Sequence, residues 1–212
     1  RISVFSLGGT IAMGATEPGK GVSLSHSAEM LIAAVPALAD FAEIEAHSFR
    51  QLPSPDITLD DLSALAHAIN ARLDDGVRGV VVTQGTDTLE ESAFVIDRLV
   101  QKDAPVVFTG AMRNPTMAGP DGPANLFHAV LVALDQQVCG IGTLVVMNDE
   151  IHAARYVQKL HTTSPAAFHS SPAGDACHTK TLARSAATSS AASLPEYMAA
   201  LREPCVQKSP QR

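Results

Sequence analysis

Five short apolar, β-branched runs, at residues 2–6, 43–49, 79–83, 105–109 and 143–147, alternate with stretches of helical period at 27–35, 58–73, 89–101 and 122–135. A short run of Val, Ile and Phe with no regular polar partner reads as a strand buried on both faces. The segments between them carry helix start signals. Ser27 is placed to cap the first, and Thr58 with Asp61 predicts a capping box on the second. In the third, Leu89, Ala93, Ile96, Leu99 and Val100 form an apolar stripe at helical spacing. This alternation predicts a mostly parallel sheet with helices on both faces, a three-layer α/β/α fold joined by right-handed crossovers.

The pattern fills residues 1–174 and stops near Asp175. Residues 175–212 contain no Ile or Phe and a single Val, and they carry 5 basic and 3 acidic residues against 10 and 19 in residues 1–174. Such a segment lacks the apolar surface to offset its ordering entropy, so a loosely held tail is expected, helical only over 194–202 after Ser193. A net charge of −7 counts against nucleic acid as a partner, which needs a basic face. No apolar run reaches the roughly 18 residues of a membrane helix, so no membrane partner is expected. Cys139, Cys177 and Cys205 have neither metal-ligand nor disulfide-framework spacing, and His152, His161 and His169 match no zinc pattern. No metal and no cofactor are assigned. The chain enters its first strand with no leader pattern, which predicts a cytoplasmic protein and leaves a periplasmic or secreted one open.

Two threonine turns carry the functional signal. Leu7-Gly8-Gly9-Thr10-Ile11-Ala12 follows the first strand run, and Thr83-Gln84-Gly85-Thr86-Asp87-Thr88 follows the third. Residues just past the strand ends of a parallel sheet line the crevice where ligands bind. Glycine lets the chain turn sharply there and leaves amide N–H groups free to meet an anion. One hydroxyl on such a turn, with a carboxylate beside a second hydroxyl on the next, suggests a site for attack on a carbonyl. Two Gly/Thr turns that only end strands remain the alternative on these residues alone.

Five segments in order resemble the L-asparaginases of the bacterial type I/type II superfamily, over about 174 of the 212 residues. They are Gly8 to Ala12, Thr83 to Glu91, Phe108-Thr109-Gly110-Ala111-Met112-Arg113, Asp121-Gly122-Pro123-Ala124-Asn125-Leu126, and Val146 to Arg155. The resemblance implies a Rossmann-like or flavodoxin-like N-terminal catalytic domain that hydrolyses asparagine, with glutamine as the other substrate, to the acid and ammonia. It makes Thr10 the nucleophile and Thr86, Asp87 and Lys159 its partners. A threonine hydroxyl needs such help near neutral pH, and for Lys159 to accept a proton it must first be neutral, which desolvation favours. The resemblance also gives Asp87 to the substrate's ammonium, Ser54 to its carboxylate and the Ala111 carbonyl to its side-chain amide. Gly85 and Thr86 add backbone donors, and the Gly9 or Thr86 N–H is expected to stabilise the oxyanion.

Three departures qualify this. The loop Gly14 to Val22 lacks the tyrosine that many members close over the nucleophile, though its glycines and Pro18 predict a flexible lid. Pro55 follows Ser54 where many members have glutamine, which bears on the choice of amide. Beyond Gly174, family members continue into a second α/β domain that completes a neighbouring subunit's site in homodimers or tetramers. Here the sequence changes as at a reading-frame change or aberrant terminus, and a site open to water predicts low or no activity for this chain alone. Competing readings are a non-catalytic relic that binds an amino acid, the amidase subunit of an archaeal-type tRNA amidotransferase, and a nucleotide-binding domain using Gly8-Gly9-Thr10. The last lacks phosphate-loop spacing.

Overall fold

A computed structural model of the chain describes residues 1–15, 22–24 and 27–170. The expected tail, 175–212, and its helix at 194–202 lie outside the described residues. All five expected strands form: β1 (Ile2–Ser6), then, past a ribbon of β2 (Met13–Ala15) and β3 (Val22–Leu24) and helix α1 (Ala28–Ala33), β4 (Ile44–Ser48). Helix α2 (Leu59–Asp74) leads to β5 (Gly79–Thr83), α3 (Leu89–Leu99) to β6 (Val106–Thr109), and α4 (Gly122–Leu134) to β7 (Thr143–Met147). Five strands were not read from the sequence: β2, β3, β8 (Glu150–Ala153), β9 (Val157–Lys159) and β10 (Phe168–Ser170).

The six-stranded sheet runs in the order β4-β1-β5-β6-β7-β8, parallel except for β8, which pairs antiparallel to β7. Successive side chains alternate between two cores, as the pleat requires. Ile2, Val4, Val81, Val107, Leu144 and Val146 face α1 and α4. Phe5, Val80, Val82, Val106, Phe108, Val145 and Met147 face α2 and α3. Capping follows the sequence. Ser27 accepts from the Met30 N–H at 3.4 Å, and Thr58 and Asp61 exchange bonds at 3.2 and 3.1 Å. On α3 the stripe is buried at Leu89, Ala93 and Ile96, whereas Leu99 is 42% exposed.

The order of strands and faces corrects one expectation. The crossover from β1 to β4 moves one way along the sheet with α1 on one face, and those through α2 and α3 move the other way on the opposite face. These three share one hand. The fourth, β6–α4–β7, moves the same way as the previous two but packs α4 on the face of α1, so its hand is reversed. This connection departs from the hand that strand twist makes nearly universal, and the start of α4 is bonded to the turn after β6, as described below.

Candidate active site

The C-terminal ends of β1, β4, β5 and β6 share one edge of the sheet, and the turns leaving them build the site. After β1, Gly8 and Gly9 adopt φ of +106° and +83°, a region that glycine enters freely and other residues do not. They swing the chain into a single 3-10 turn, Thr10–Ala12, closed by the Ala12 N–H on the Gly9 carbonyl at 2.9 Å. Close approach demands glycine here too. A Cβ on Gly9 would lie 2.1 Å from the Gly85 nitrogen, and one on Gly85 would lie 2.9 Å from Ser54 Oγ. The two threonine turns therefore meet main chain to main chain, with Thr10 and Thr86 each one residue beyond the contact.

Buried hydrogen bonds fix the second turn. Gln84 Nε2 donates to Thr88 Oγ1 at 3.2 Å and to Ser92 Oγ at 3.0 Å. Thr88 in turn donates to the Ser54 carbonyl at 2.8 Å. Ser54 opens a short turn after β4, is 3% exposed, and accepts the Asp87 N–H on its hydroxyl at 3.2 Å. That bond uses the oxygen as acceptor and leaves the hydroxyl hydrogen free to donate to an anion. Among the described residues the Gly9 and Thr86 N–H groups meet no acceptor, and the Thr10 hydroxyl makes no hydrogen bond.

Lys159 arrives from the far end of the chain. Its Nζ donates to Thr86 Oγ1 at 2.9 Å and to Asp87 Oδ1 at 2.7 Å, joining residues 73 and 72 positions apart. The lysine side chain is 12% exposed and that of Asp87 70%, so the pair is sheltered at the amine and open to solvent at the carboxylate. Lys159 is thus a partly sheltered lysine. Its backbone is held as well: the Lys159 N–H donates to the Glu90 carboxylate in the first turn of α3. Burial pushes the Glu90 carboxyl above its ordinary range, with the Lys159 N–H opposing it.

The β9–β10 ribbon that carries Lys159 is tied to the sheet through His152 on β8, whose Nδ1 is hydrogen-bonded to Ser170 Oγ at 2.9 Å. His152 is 4% exposed, with Nε2 3.6 Å from Glu150. Burial, with the charge of His169 adding, brings its pKa down to about 4. An apolar cleft of about 160 Å³ touches the site at Ile11 and Ala111 and is walled by Leu31, Gly122 and Leu126. It does not reach Thr86, Asp87 or Lys159.

The structure thus gathers Thr10, Ser54, Gly85, Thr86, Asp87 and Lys159 on the same sheet edge, with Ala111 on the next turn. Of the expected lid, 16–21 lie outside the described residues, and Gly14 and Ala15 pair with Ser23 and Val22 as a ribbon instead of a loop. Glu90, Asp121 and Asn125 were given no role from the sequence, although all lie in segments that carried the resemblance. The Asp-x-x-x-Asn spacing at the start of a helix, which sets two polar side chains on one face, was a legible signal.

The family model described as "Asparaginase, N-terminal" matches residues 1–189. L-asparaginase 2 of Bacillus subtilis is 43% identical over 179 residues, covering 82% of this chain and 47% of that protein. L-asparaginase 2 of Escherichia coli is 41% identical over 172 residues, covering 80% and 49%. A probable periplasmic L-asparaginase of Haemophilus influenzae matches at 41%. Among solved structures, a probable cytoplasmic L-asparaginase from Campylobacter jejuni superposes with a TM-score of 0.76 at 36% identity, over 82% of this chain and 54% of that one. The chain spans about half the length of the curated relatives it matches.

Proposed function

The chain belongs to the asparaginase family, and on that footing we propose that it carries the nucleophile-bearing half of an L-asparagine amidohydrolase. One observation carries the reading: a sheltered lysine amine donates to both a threonine hydroxyl and a solvent-facing aspartate on the turn that abuts Gly9, the residue before Thr10. In this proposal Thr10 Oγ attacks the side-chain amide carbon of asparagine. A C–O bond forms, the C–N bond breaks, and the hydroxyl proton passes to the nitrogen, which leaves as ammonia. Water then attacks the aspartyl ester and returns the proton to Thr10.

Each remaining group has a task that its surroundings support. The exposed Asp87 carboxylate meets the substrate's ammonium, and the free hydroxyl hydrogen of Ser54 meets its carboxylate. Lys159, held on Thr86, fixes the direction of that hydroxyl and adds positive charge where negative charge develops. The Gly9 and Thr86 N–H groups, which meet no acceptor among the described residues, are the candidate oxyanion donors.

The test is acid quenching of the chain with asparagine, followed by peptide mass analysis and ammonia measurement. An aspartyl ester on the Thr10 peptide, absent in Thr10→Ala, is the expected result. No ester and no ammonia above the Thr10→Ala control overturns the proposal, and aspartate binding without either returns the non-catalytic reading.

A further inference from the structure

The turn after β6 is hydrogen-bonded to the start of α4. Asp121 Oδ2 accepts the Met112 N–H at 3.0 Å and Oδ1 accepts the Arg113 N–H at 2.9 Å. Asn125 Nδ2 donates to the Gly110 carbonyl at 3.0 Å and to Asp121 Oδ2 at 3.2 Å, while Asn125 Oδ1 accepts the Asn148 N–H at 3.0 Å. Asn125 is 2% exposed, so these bonds are sheltered from competing water.

Two of these bonds bracket Ala111. The Gly110 carbonyl belongs to the peptide unit before it, and the Met112 N–H belongs to the unit after it. Every peptide in the described chain is trans. In a trans unit the C=O points opposite to the N–H. With the Met112 N–H aimed at Asp121, the Ala111 carbonyl is forced the other way. Ala111 is buried where it lines the apolar cleft beside Ile11, and among the described residues its carbonyl accepts from no donor. A buried acceptor held rigidly without a partner is costly and asks for a donor from outside the fold.

We propose that Asp121 and Asn125 are specificity-determining positioning residues: they lock both peptide planes at Ala111 so that its carbonyl is a fixed acceptor for an N–H of the ligand. The proposal rests on the asparagine reading above. In that setting the carbonyl selects an uncharged side-chain amide, which donates, over a carboxylate, which cannot. The reversed crossover acquires a purpose, since it brings the start of α4 to the side where Gly122 packs on Ile11, beside Thr10.

The experiment uses the full chain carrying Thr10→Ala, so that asparagine is bound and not consumed. Calorimetry gives its affinities for asparagine and for aspartate with Asp121 intact, as Asp121→Asn, and as Asp121→Ala. Loss of the lock should lower the preference for asparagine over aspartate about three- to tenfold in Asp121→Ala, and by less in Asp121→Asn, which keeps one acceptor. Amide hydrogen exchange at Met112 and Arg113 should speed up in the same order, a measurement that needs no ligand and that Asp121→Asn provides if Asp121→Ala does not fold. Equal weakening of both ligands, or unchanged exchange at Met112, overturns the lock alone. Failure of the Thr10→Ala parent to bind either ligand overturns the asparagine reading and the proposal with it.

Discussion

Gly9→Ala is the most direct test of how the two threonine turns are joined. The new Cβ would lie 2.1 Å from the Gly85 nitrogen, 2.3 Å from its Cα and 2.8 Å from the Gln84 carbonyl carbon. All three are main-chain atoms, so no side chain can rotate away. Restoring an ordinary contact of about 3.4 Å moves the turns apart by more than about 1 Å. They cannot part freely, because the Leu7 N–H is bonded to the Thr83 carbonyl at 2.9 Å just before them. Losing that bond costs about 1 kcal/mol, and holding alanine at a φ of +83° adds roughly 1–2 kcal/mol. Gly76 separates the two contributions. Its φ is +82° with nothing within 4 Å of the added Cβ, so Gly76→Ala reports the conformational cost alone. Urea unfolding should place Gly9→Ala at least about 1 kcal/mol below Gly76→Ala, with the same denaturant slope. Formation of the Thr10 ester should fall by about 100-fold in Gly9→Ala, the usual cost of a 1 Å misplacement, and stay unchanged in Gly76→Ala. Equal stabilities for the two variants would refute the close approach as the constraint.

Two further outcomes follow from the lysine and from the buried histidine. Lys159→Met keeps the apolar stem but removes the donor to Thr86 and Asp87; since Asp87 is 70% exposed, stability should change by less than about 1 kcal/mol while ester formation falls by at least about 100-fold, read by rapid quench. His152 has its pKa lowered to about 4 by burial. The unfolded chain therefore takes up a proton near pH 6.5 that the folded chain refuses, and stability falls as pH drops from about 6.5 towards 4. At pH 5 the loss is about 2 kcal/mol relative to pH 7. His152→Asn should flatten that part of the urea-midpoint profile, and an unchanged profile would show that His152 is not its source.

Local signals made most of the fold legible. The Val80-Val81-Val82 run could be split between two cores because a pleat alternates, and Thr58 with Asp61 could be read as a capping box because that motif is complete within four residues. What failed to show was non-local or very short. Turn chemistry could have marked β8, the local exception: Asn148 and Asp149 both take positive φ, 50° and 64°, and make a two-residue hairpin of the kind those residue types favour. The signal was there, beside a strand already identified. No pattern in three residues could mark β9 or β10, whose pairing depends on each other and on His152. At the site, glycine and threonine spacing disclosed the two turns, and resemblance to a family added Lys159, Ser54 and Ala111. The tether from Glu90 and most bonds of Asp121 and Asn125 are made to backbone, so the Asp-x-x-x-Asn spacing was legible but the partners were not.

The reversed crossover has a consequence for how the sheet is clad. Had β6–α4–β7 kept the hand of the other three, α4 would lie beside α2 and α3. The opposite side, with Ile2, Val4, Val81, Val107, Leu144 and Val146, would then have the 6-residue α1 and the turn behind it as its main cover. An apolar surface of that extent drives a protein to associate. With α4 moved across, each side receives two helices, and Leu126, Ala129, Val130 and Ala133 fill the span that α1 is too short to reach. One change of hand lets the described segment roof both sides of its own sheet.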